Sequence, residues 1–151
     1  MKRGFTLLEV LIVIAILGTI VAVTAGMYLN FSKDTELEAA AKDIIYDLKT
    51  TRSRAMTGDG DLKWGINFVN DTDDYYEIFS TPTDYNSASM SVDTTKYLQN
   101  NITFTDPLNA TSSVVLFNKI SGSIDAEKTT TISSTVAGTR TIIITTSGNI
   151  Y

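Results

Sequence analysis

The chain reads as an α+β fold: a long N-terminal helix packed on a C-terminal antiparallel β-rich head, a lollipop in outline. Three observations predict it. Residues 5–29, FTLLEVLIVIAILGTIVAVTAGMYL, are apolar but for one charge, Glu9. Leu37, Ala41, Ile44, Leu48, Thr51 and Ala55 then recur at spacings of three and four, which line one face of a helix. Beyond Asp61 the pattern shifts to short runs rich in Thr, Val and Ile between turn residues, the composition of strands.

The first element opens with Lys2-Arg3-Gly4, a short basic leader over residues 1–4. The 25 residues that follow, 5–29, suffice at about 1.5 Å rise per residue to cross a hydrocarbon core roughly 30 Å thick. Leader charges Lys2 and Arg3 would keep that end cytoplasmic and send the C-terminal part outward. A plain membrane anchor is the simplest reading. A conventional signal peptide cut after Ala25, with small residues Val23 and Ala25 in place, is another. The apolar stretch is longer than such signals usually carry, and Glu9 sits near its start. Glu9 has a local role to weigh: Thr6-x-x-Glu9 fits a capping box, and a carboxylate in the first turn suits the helix dipole. A lone carboxylate within lipid is nonetheless costly without a partner. Gly18 and Gly26 lie within the apolar stretch, where each weakens a helix by roughly 1 kcal/mol.

Residues 30–57 turn polar while keeping helical spacing, with Ile45 widening the stripe. Lys33, Asp34, Glu36, Glu38, Lys42, Asp43 and Asp47 are expected on the solvated face. Gly58-Asp59-Gly60-Asp61 stops the pattern near Thr57, so a helix from Phe5 would run on the order of 80 Å.

The head, residues 58–151, opens with strand Lys63–Val69, placing Trp64, Ile66 and Phe68 on one side, and a hairpin partner, Tyr75–Ser80. A long surface loop is expected over Thr81–Thr95. Later strand candidates are Ile102–Thr105, Ser113–Phe117, Ser123–Asp125, Thr129–Ser134, Arg140–Thr145 and Gly148–Tyr151, giving six to eight short antiparallel strands against the helical stripe.

Composition narrows the function. The 151 residues include no Cys and no His. Disulfides, thiolate metal sites, Cys nucleophiles and the commonest general base are therefore ruled out, which weighs against an enzyme. Net charge is −5, and loss of Lys2 and Arg3 would leave −7, an acidic surface that disfavours nucleic acid. Asp71, Asp73 and Asp74 resemble part of a calcium loop but lack its Gly and distal Glu, so a polar hairpin turn is expected and no metal or cofactor. Asn-x-Ser/Thr triplets at Asn30, Asn70, Asn101 and Asn109 are attributed to the abundance of Ser and Thr.

Lys2-Arg3-Gly4-Phe5, the apolar run and Glu9 together resemble the class III signal of type IV pilins and pseudopilins. The resemblance implies that a prepilin peptidase cuts after Gly4, that Phe5 becomes an N-methylated terminus, and that Glu9 answers the α-amine of a neighbouring subunit. In that family a Pro often stands near the place of Gly26; here it is missing. Within the head, Thr51-Arg52-Ser53-Arg54-Ala55, Lys63-Trp64-Gly65-Ile66, the segment Leu116–Gly122 and the run Arg140–Gly148 resemble the GspH/FimT-like minor pilins and pseudopilins. Implied partners are other pilin or pseudopilin subunits, the peptidase/methyltransferase, an inner-membrane assembly platform and membrane lipid. The implied location is the inner membrane, with an external head, and then a periplasmic or extracellular filament. Some FimT-like proteins bind DNA through basic C-terminal residues, but Arg140 is the only charge in this tail.

Overall fold

A computed structural model describes residues 6–151. Helix α1 spans Leu7–Thr57, 51 residues and about 76 Å, and continues without a break through Gly18 and Gly26. It starts where Thr6 leaves helical geometry (φ −78°, ψ 148°) and its hydroxyl accepts the Glu9 amide at 3.3 Å. It ends at Gly58, whose left-handed φ of 68° turns its amide back onto the carbonyls of Arg54 and Ala55. The expected membrane span over residues 5–29 begins outside the described residues; among those described, no helix is long and apolar enough to cross a membrane.

Seven strands follow: β1 (Lys63–Asn70), β2 (Tyr75–Thr81), β3 (Ser91–Tyr97), β4 (Ile102–Asp106), β5 (Thr111–Phe117), β6 (Lys128–Ser134) and β7 (Gly138–Ile144). They form two antiparallel sheets, in orders β3-β2-β1-β5 and β4-β6-β7. The α+β class is as expected. Three expectations change. The Thr81–Thr95 loop gives way at Ser91 to β3, an edge strand exposed along nearly its whole length and so without the alternation that marks a half-buried strand. Ser123–Asp125 forms no strand; its backbone instead closes a turn, with Asn118 donating to the Ser123 carbonyl. The Gly148–Tyr151 segment contributes only a bridge between Ile144 and Ile150.

All six stripe residues of α1, Leu37 through Ala55, are buried, and Ile45 packs beside them. They meet Trp64, Ile66 and Phe68 of β1 together with Phe104, Ile132, Ile142 and Ile144 from the second sheet. The Phe68 ring packs edge-on to Phe104 at 5.7 Å, joining the two sheets over the helix. The head therefore holds only the second half of α1. The first half extends beyond it.

Candidate assembly interface

Along that extension, every Leu, Ile and Val from Leu7 to Val21 is at least 47% exposed, on all sides of the helix. Burying half of such a side chain stabilises by about 1 kcal/mol, so a sleeve of neighbouring apolar groups would stabilise this arm by on the order of 10 kcal/mol before the costs of association. Glu9 sits exposed in the first turn, at the positive end of the helix dipole. The Thr6 hydroxyl holds the Glu9 amide and so fixes where that turn begins. Gly18 leaves open space at its Cα, where another helix could approach closely. Lys2, Arg3, Gly4 and Phe5 lie outside the described residues, so the expected cleavage position and its new terminus are not placed relative to Glu9.

The head motifs come together at the helix end. Arg52 donates from Nε to the Gly122 carbonyl at 3.1 Å and from a terminal nitrogen to the Ser147 carbonyl at 2.9 Å, tying α1 to both C-terminal turns. A Cβ at Gly148, whose φ is +81°, would press on Arg52 Nε at 2.7 Å and on the Gly122 carbonyl. Arg54 lies over the Trp64 ring at 3.8 Å and pairs with Asp59 and Asp93. Gly65 lets the Phe79 ring and the Val115 carbonyl approach to 2.6 Å of where a Cβ would stand. The four sequence segments thus describe one junction. Its work is to lock the shaft to the head.

Three polar groups escaped sequence reasoning. Asp47, assigned to the solvated face, is 5% exposed, and its Oδ2 accepts from the Tyr76 hydroxyl at 2.6 Å and from Lys96 Nζ at 2.7 Å. Burial, reinforced by the Asp47 carboxylate, pushes the Tyr76 phenol far above its ordinary value. Buried Asn70 donates to the carbonyls of Phe104 and Pro107, bridging the sheets. Arg140 bonds Glu38 at 3.0 Å and Asp34 at 2.8 Å, holding β7 to the helix. That pairing keeps the Glu38 carboxyl below its usual range.

The acidic turn is built as a hairpin turn. Asp74 accepts the amides of Asp71 and Phe104 on its two oxygens, and Asp71 accepts the Thr72 amide. It borders an open groove of about 810 Å³ with Tyr97, Gln99 and Thr103. Among the described residues no group of three or more acidic side chains is arranged to hold a metal.

Residues 1–25 match the prokaryotic N-terminal methylation motif. Comparison with curated proteins and with solved structures gives no match. The motif spans Gly4, Phe5 and Glu9 and the start of the exposed arm, and it indicates a type IV pilin-like protein processed by prepilin peptidase.

Proposed function

We propose that the chain is a GspH/FimT-like minor subunit of a type II secretion pseudopilus or a type IV pilus, with a mechanical and architectural role. The N-terminal methylation motif supports a pilin-like chain, and pilin-like proteins are structural, not catalytic. In this reading residues 5–29 hold the precursor in the inner membrane, N-terminus cytoplasmic and head outside, until peptidase cleavage after Gly4 frees Phe5. The Phe5 α-amine, with an ordinary pKa near 8, is then mostly protonated, and Glu9 of an adjacent subunit compensates its desolvation in apolar surroundings. The observation that carries the proposal is the matched motif running into an arm whose Leu, Ile and Val side chains from Leu7 to Val21 are all exposed, with Glu9 in its first turn.

Glu9→Ala tests it. The variant is expected to insert in the membrane and be cleaved, yet to be lost from sheared filaments. Normal incorporation would remove Glu9 from the mechanism. Abundance in those filaments separates a minor from a major subunit.

A further inference from the structure

The β1–β2 turn, the β3–β4 connection and the start of β4 line the open groove of about 810 Å³. One buried residue braces all three segments. Asp74 accepts the amides of Asp71 and Phe104 on its carboxylate and that of Leu98 on its carbonyl. Buried Asn70 adds its bonds to the carbonyls of Phe104 and Pro107. The groove is therefore preformed, and its size falls within the roughly 300–1,000 Å³ of small-molecule sites. Its aromatic wall is Tyr97, 67% exposed, whose ring leans on Tyr75 at 5.5 Å with a tilt of 45°. Asp73, Gln99, Asn100 and Asn109 also line it, exposed and with side chains unengaged within the chain. Among the described residues that line the groove none is a Lys or Arg.

We propose that this groove binds a short uncharged oligosaccharide, one sugar ring lying against Tyr97. The polar groups select the class. Each of the three amides both donates and accepts, and so does each sugar hydroxyl, while the Asp73 carboxylate accepts further hydroxyl protons. An anionic ligand would meet carboxylates with no cation to answer it. An apolar ligand would bury the amides unpaired. Cationic side chains only donate, so they would suit Asp73 and leave the amide N–H groups unanswered. The Tyr97 ring offers a flat apolar face to the C–H side of a sugar ring, and its contact with Tyr75 holds it in place beforehand. The site belongs to the head alone and is independent of how the chain assembles.

Saturation-transfer NMR on the full chain, held in a zwitterionic detergent without a sugar headgroup, tests this. The probes are maltotriose, cellotriose and N-acetylated chitotriose, each at millimolar concentration, with trilysine as the cationic rival. At least one trisaccharide is expected to receive saturation, strongest on the ring protons of one sugar unit. Tyr97→Ala and Gln99→Ala should each weaken binding several-fold, whereas Tyr97→Phe keeps the ring and should keep most of the affinity. Both side chains are exposed, so thermal unfolding of these variants should match the parent. Binding of none of the three sugars overturns the proposal. So does displacement of a bound sugar by trilysine, which would make the groove a cationic-peptide site, or sugar binding indifferent to Tyr97→Ala and Gln99→Ala. None of these results bears on the filament reading, which Glu9→Ala tests separately.

Discussion

Removing the Asp47 carboxylate should cost more stability than any other charge change on α1. Its Oδ2 receives the buried Tyr76 hydroxyl and the half-exposed Lys96 ammonium, so one atom ties β2 and the edge strand β3 to the helix. In Asp47→Ala the Lys96 head regains water at little cost. The Tyr76 hydroxyl is left buried without its acceptor, a penalty of about 1–3 kcal/mol. Loss of the charge-assisted bonds raises the expected total to about 2–4 kcal/mol. Urea unfolding followed by fluorescence of Trp64, the single tryptophan and a buried one, reads this directly. Tyr76→Phe in the Asp47→Ala background removes the orphaned hydroxyl, so the two changes should be non-additive by about 1–2 kcal/mol. A loss below about 1 kcal/mol for Asp47→Ala, or plain additivity, would refute the reasoning.

Other outcomes follow from the same geometry. Gly148→Ala forces a left-handed residue against Arg52 and Gly122 and should destabilise the head by about 2 kcal/mol or more, measurable by thermal unfolding. Gly65→Ala should be comparably harmful, because the Val115 carbonyl it meets is backbone and cannot swing aside. The folded-state pKa of Tyr76 lies above its ordinary value of 10.0, so its contribution is complete below pH 10 and declines above it as the unfolded chain ionises. Alkaline titration should show a loss approaching about 1.4 kcal/mol per pH unit from this group, and Tyr76→Phe should abolish that part.

The helix was legible because its evidence is local: a three-and-four repeat declares its own buried face, and all six residues of the Leu37–Ala55 stripe are in the core. Gly58 likewise announces the end through its backbone alone. Asp47 was illegible for the opposite reason. It borders the stripe, and the groups that make its burial tolerable, Tyr76 and Lys96, are 29 and 49 residues away, so no window of sequence contains them. Strand β3 (SVDTTKY) was missed because an edge strand exposed on both faces has no apolar period to display. The segments around Arg52, Trp64, Gly122 and Gly148 were noticed as resemblances; the junction they build supplies the reason those residue types stand there. In the interface the Thr6 cap and the exposed arm were readable. The Phe5 side of the contact is a product of cleavage and belongs to another molecule, so one chain does not contain it.

Everything proposed for assembly depends on Phe5 becoming a free terminus beside Glu9 of a neighbour. Mass spectrometry of the mature protein from sheared filaments tests that most directly. The account predicts a chain beginning at Phe5 and carrying one added methyl on its α-amine. A mature chain that begins at Gly26, or one that keeps Met1, would contradict it.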